Sequence, residues 1–132
     1  AGFLTNEQVF SLEKCPKSLA IIGAGPIGCE LGQAFSRLGS EVTIISSRDH
    51  ILPKEDPEAA RVVEQQFEAE GIRILPKSRA EAVEIAQDKK LIKSGDNTVI
   101  VDEILVSSGR SPNVESLNLE AAGVLVDKGG IR

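Results

Sequence analysis

The chain has 132 residues, a net charge of −5 at pH 7, 41% hydrophobic residues and 27% charged residues. That length suits one domain with its own core. With 3% aromatics and no Trp or Tyr, the core must be aliphatic. The acidic balance and the absence of a basic block argue against nucleic acid and anionic membrane surfaces as partners. No apolar run approaches the roughly 20 residues of a membrane span. No charged-then-apolar leader pattern opens the sequence, so a cytoplasmic location is the expectation.

Residues 1–18 have mixed polarity, with Phe3, Leu4, Val9, Phe10 and Leu12 as apolar points, and predict a short helix over 7–12. Leu19-Ala20-Ile21-Ile22 is a short continuous apolar run, the signature of a buried parallel strand. It runs into Gly23-Ala24-Gly25-Pro26-Ile27-Gly28, with Gly32 four residues later. A G-x-G-x-x-G between a strand and a helix is a dinucleotide-binding turn. Gly23 permits the tight turn, Gly25 removes a side chain from the path of the phosphates, and Gly28 lets helix and strand pack closely. Pro26 suits the first helical position. The free N–H groups and positive dipole end of the helix then face the pyrophosphate.

Ile27, Leu31, Phe35 and Leu38 recur as one face of a helix over 26–38, which Gly39 stops. Residues 41–45 predict a second strand and 46–54 a loop. Asp56 and Pro57 are an N-cap and a first helical residue. Ala60, Val63 and Phe67 give the second helix its buried face, and Gly71 ends it before a third strand over 72–75. Residues 77–102 show no helical period. They show three strand-like runs at 82–85, 90–93 and 98–101, separated by turn-forming residues. A last strand follows over 103–106, then a loop over 107–114. The predicted fold is α/β: a Rossmann-like parallel sheet flanked by helices, with an antiparallel β-meander as one crossover. Right-handed crossovers put strands 2 and 3 on one side of strand 1 and strand 4 on the other.

Cys15 and Cys29 form no CxxC or CxxxxC pair, and His50 stands in a charged loop. No metal site is expected. Cys29 reads as a small buried residue of the first helix.

The pattern resembles the NAD(P)H-binding domain of the FAD-dependent pyridine nucleotide-disulfide oxidoreductases, which include glutathione reductase, dihydrolipoamide dehydrogenase and mercuric reductase. Four stretches carry the likeness: residues 19–32, 33–43, 51–57 and 104–113. The last resembles the family's ATGRxPN segment, with Ser107 and Ser108 in place of Ala and Thr. The wording of residues 115–124 is most similar to the mercuric-reductase-like and dihydrolipoamide-dehydrogenase-like branch. The resemblance implies a lead-in over 1–18 from an FAD domain, an NAD(P)-binding domain over 19–125, and a tail over 126–132 returning toward the FAD domain. It also implies a homodimeric parent in which nicotinamide reduces flavin, and flavin reduces a disulfide that serves the substrate. The chain has neither the family's redox CxxxxC nor its C-terminal His–Glu pair, so no catalytic residue is assigned and the chain alone is expected to bind cofactor without turnover.

The implied cofactor-binding residues are Gly23, Ala24, Gly25, Pro26, Ile27, Gly28, Glu30, Ser46, Ser47, Arg48, Ser108, Gly109 and Arg110. Glu30 matches the family's glutamate beside the nicotinamide. Pro26 replaces the gating tyrosine of glutathione reductase, so that gate does not carry over. NAD-specific members place a glutamate at the end of strand 2, where this chain has Ser46, followed by Ser47 and Arg48. Two hydroxyls and a guanidinium suit a 2′-phosphate, which points to NADP. The glycine spacing at Gly28 and Gly32 is that of NAD enzymes and keeps NAD as the alternative. FAD is expected outside this stretch. A regulatory NAD(H)-sensing Rossmann module is the competing function. The meander and residues 107–113 argue against it, because a sensor needs neither.

Overall fold

Four parallel strands carry the fold in the computed structural model, which describes residues 2–132. Residue 1 of the expected lead-in lies outside them. The elements run β1 (Ser18–Ile22), α1 (Pro26–Arg37), β2 (Glu41–Ile45), α2 (Pro57–Ala69), β3 (Arg73–Leu75), β4 (Ala82–Ala86), β5 (Lys89–Ser94), β6 (Asn97–Val101) and β7 (Glu103–Val106). The parallel sheet has the order β3-β2-β1-β7, as the crossover argument requires. Three layers result. The helices cover one face of this sheet, and the antiparallel sheet β4-β5-β6 covers the other.

Alternation along β1 divides the core between the two faces. Leu19 and Ile21 join Val42, Ile44, Cys29 and Phe67 on the helical side. Ala20 joins Ile45, Ile92, Val99, Val101 and Ile104 on the meander side. All of β1 from Leu19 to Ile21 is 0% exposed. Truncating a side chain such as Ile21 to alanine typically costs about 2–5 kcal/mol. The meander is tied back to β1 at its exit. Ser18 donates from both N and Oγ to Asp102 Oδ2, each at 2.8 Å. Lys89 also pairs with Asp102, and Lys89 first and Ser18 second hold that carboxyl below its usual range.

Two details differ from the sequence-based expectation. Residues 7–12 form only a short 3-10 turn, Gln8–Ser11. The segment packs on the sheet: Val9 is 3% exposed in the core, and Leu4 bridges to Leu105. Leu38 is 70% exposed and not on the buried face of α1. That face is Gly28, Cys29 and Gly32, and Leu31 and Phe35 pack at its flank. A helix that meets a sheet through glycines comes too close for large residues to lie between them.

The C-terminal ends of the two helices are clamped by Glu70, the C-cap of α2. Its carboxylate takes Arg37 Nε and Nη2 at 3.1 and 2.7 Å, Gln33 Nε2 at 3.0 Å and Gln66 Nε2 at 2.8 Å. These partners, Arg37 first, lower the Glu70 carboxyl from 4.5 to about 2. A depressed carboxyl stabilises the fold above its unfolded value and loses that contribution as pH falls. Glu70→Gln should therefore lower the melting temperature at pH 7. In a pH series, the gap to the parent chain should close as pH falls from about 4.5 toward about 2. A gap that stayed constant down to pH 2 would remove charge from the account.

Candidate functional site

β1 ends at Ile22, and Gly23 turns the chain with φ +110° while its N–H donates to Ile45 O at 3.0 Å. A Cβ on Gly23 would stand 2.8 Å from the Ser107 carbonyl carbon and 2.9 Å from Ser108 N. A Cβ on Gly28 would stand 2.2 Å from Gly23 O and 2.7 Å from Ser107 Oγ. Ser107 Oγ donates to that same Gly23 O at 3.0 Å. Turn, helix and the loop after β7 thus meet at one carbonyl. Gly32 brings the next helical turn against Ile21 and Ile44, at 3.0 and 3.3 Å from its would-be Cβ.

Gly25 is different. Its φ of −78° and ψ of −178° suit any residue, and a Cβ there has nothing within 4 Å. Nothing in the protein's own packing requires glycine at this position. What it does is leave the mouth of α1 open. Gly25 is the N-cap, Pro26 is at the first position, and no side chain caps the helix. The first-turn N–H groups of such a helix form an anion-binding end.

The turn opens on a cleft of about 740 Å³ across the carboxyl ends of β1, β2 and β7. Gly23, Ala24, Gly25, Pro26, Ile27, Ser46, Ser47, Arg48, Ser108, Gly109 and Arg110 all line it. Its ionisable lining is Arg48, Lys54, Arg79 and Arg110 against the single carboxylate Glu55. A chain of net charge −5 thus concentrates positive charge at one place.

Two expected residues sit elsewhere, and a third is occupied. Gly28 is buried behind the turn, as its packing role demands. Glu30 is exposed on α1, outside the cleft, on a smaller groove with Pro26, Cys29, Gln33, Leu52, Val63 and Phe67. Ser46 borders the cleft, but it is 2% exposed and its hydroxyl is occupied. Ser46 Oγ accepts from Arg48 N at 3.1 Å and donates to His50 O at 3.4 Å. It shapes the loop, which leaves Ser47 as the free hydroxyl beside Arg48. Sequence reasoning missed Lys54, Ser78 and Arg79. The signal for the last two was in the strand order: β3 neighbours β2, so the loops that follow them are neighbours as well.

Cys29 is 4% exposed, and its thiol donates to Ala24 O at 3.6 Å. Burial raises it from 9.0 to about 11, so it stays protonated at neutral pH. Cys15 is exposed. A thiol reagent at pH 8 should label Cys15 at once and Cys29 only after unfolding; rapid labelling of both would contradict the buried placement.

A buried strand that turns through glycines into a helix, at the centre of a β3-β2-β1-β7 sheet, defines a Rossmann-type domain. The chain belongs to the pyridine nucleotide-disulphide oxidoreductase family, whose profile matches residues 2–132. It is 41% identical over 128 residues to dihydrolipoyl dehydrogenase of Chlamydia pneumoniae, covering 97% of this chain and 28% of that protein. It is 41% identical over 130 residues to mercuric reductase of Lysinibacillus sphaericus, covering 96% and 24%. Among solved structures, the HOCl-induced flavoprotein disulfide reductase RclA of Escherichia coli superposes with a TM-score of 0.90 at 30% identity, over 99% of this chain and 30% of that one. The chain thus spans about a quarter of the length of these relatives.

The two kinds of glycine separate under substitution. Gly25→Val should leave the melting temperature near that of the parent chain and weaken dinucleotide binding at least about tenfold, measured by titration. Gly28→Val should destabilise the fold by about 1–3 kcal/mol or more through overpacking. Tight binding by the Gly25 variant would contradict an approach at this turn.

Proposed function

We propose that the chain is the NAD(P)H-binding part of a flavoprotein disulfide reductase, with NADPH preferred over NADH. The observation that carries the reading is Gly25, a glycine that the chain's own packing does not require, at the open N-terminus of α1. Family membership and the positive cleft support it.

When bound, the nicotinamide supplies a hydride, and FAD held by parent segments outside this stretch accepts it. The residues of this chain bind and orient. The turn from Gly23 to Ile27 offers N–H groups and the helix dipole to the pyrophosphate. Ser47 and Arg48, at the end of β2, face the adenosine ribose. Among the described residues the only carboxylate in the cleft lining is Glu55, on the loop that leads to α2, so no acid of the β2 loop lines the cleft to oppose a 2′-phosphate. Ser108, Gly109 and Arg110 close the opposite wall. Glu30 forms no ion pair or side-chain hydrogen bond among the described residues, and we assign it a polar contact near the nicotinamide in the parent. The final acceptor, whether disulfide, dithiol or metal ion, meets other parts of a homodimeric parent.

Titration of the chain with NADPH and with NADH tests this. NADPH should bind about tenfold tighter, and Arg48→Ala should remove most of that difference while sparing NADH. Equal or tighter NADH binding would overturn the preference, and no binding of either would overturn the dinucleotide reading. The purified chain should carry no flavin colour.

A further inference from the structure

We propose that Arg79 is a second specificity residue, which engages the 2′-phosphate of NADPH from the β3 side while Arg48 engages it from the β2 side. The inference rests on the NADPH reading above and adds a residue to it. Arg48 and Arg79 are far apart in sequence and come together through the sheet. β2 pairs with β3 in parallel, with Thr43 opposite Arg73, Ile44 opposite Ile74 and Ile45 opposite Leu75. Both strands therefore release their loops at the same edge.

The two loops are then laced together. Ser46 N donates to Leu75 O at 2.9 Å, Ser78 N to Ser46 O at 2.8 Å, and Lys77 N to Arg48 O at 2.9 Å. Lys77 adopts φ +52° to make this contact, and its Nζ lies 3.7 Å from Asp49 Oδ2. The acid next to Arg48 is thus matched to a lysine of the other loop. Arg48 and Arg79 both line the cleft. Among the described residues neither guanidinium forms an ion pair. Cations that line one cleft without carboxylate partners favour a bound dianion.

The strand order decides which anion. β3 is the outer strand, two places from the glycine turn that follows β1. The pyrophosphate lies at that turn, so the loop after β3 borders the adenosine end. There NADPH carries a phosphate where NADH carries a hydroxyl. A guanidinium can take a phosphate in bidentate fashion, whereas a ribose hydroxyl offers it little.

The test is equilibrium titration of the parent chain, Arg79→Gln, Arg79→Glu and Arg48→Gln with NADPH, NADH, 2′,5′-ADP and 5′-AMP. Arg79 is exposed and, among the described residues, forms no ion pair, so all Arg79 variants should melt with the parent chain. Arg79→Gln should weaken NADPH and 2′,5′-ADP about tenfold and leave NADH and 5′-AMP within about twofold. Arg79→Glu should weaken NADPH further, about a hundredfold, by placing a like charge beside the phosphate. Equal losses for NADH and NADPH would make Arg79 an adenine-stacking residue and overturn the proposal. So would an Arg79→Gln variant that keeps the full preference while Arg48→Gln loses it. A parent chain with no preference for NADPH would instead overturn the earlier reading.

Discussion

Everything in this molecule depends on how closely α1 approaches the end of β1. The contact is a single carbonyl, Gly23 O, which receives the Ser107 hydroxyl at 3.0 Å and would lie 2.2 Å from any Cβ on Gly28. Close approach there fixes the tilt of the helix. It also sets the direction of the first-turn N–H groups and the distance from the turn to the loop after β7. Those are the dimensions of the cleft. The lack of bulk on α1 follows from the same constraint, since Gly28, Cys29 and Gly32 are the residues it buries.

The sheet distributes the remaining tasks. From Leu19 to Ile21 its central strand is buried on both faces, so that stretch is apolar and carries no chemistry of its own. Chemistry is left to the loops at the carboxyl edge, where a rigid scaffold holds irregular backbone. Each loop supplies a different part: an open helix end after β1, a hydroxyl and guanidinium after β2, a second guanidinium after β3, and a third after β7. The meander stands apart from this edge. It seals the face of the sheet that the helices leave bare, and the link from Ser18 to Asp102 holds it there.

Much of this was legible in the sequence, for physical reasons. A buried parallel strand, a glycine turn and a helix each have a short-range pattern, and the handedness of crossovers then orders the strands. What was hidden depended on side-chain direction or on contacts distant in sequence. Leu38 kept the helical period yet faces solvent, because period alone does not tell which face the glycines claim. Ser46 stood where the family resemblance implies a ribose contact, but a serine after a strand can equally cap its own loop, and here it does. Arg79 had no local signature at all; only the pairing of β2 with β3 brings it to the cleft. Val9 likewise looked like part of a connecting segment, and its burial required the whole helical face to be in place.

The bridge at Leu4 bears on how the chain avoids its own kind. β7 is the last strand of the parallel sheet, and an uncovered last strand is a template for another chain. Leu4 N donates to Ile104 O at 2.7 Å and Leu4 O accepts from Val106 N at 2.9 Å, so the segment around Leu4 occupies that template. A version trimmed to start at the first full strand would keep the glycine turn and the cleft. It would also bare a row of strand hydrogen-bonding groups beside an empty space the size of the Val9 side chain. Its failure would be one of solubility, arising on the edge of the sheet farthest from Arg79.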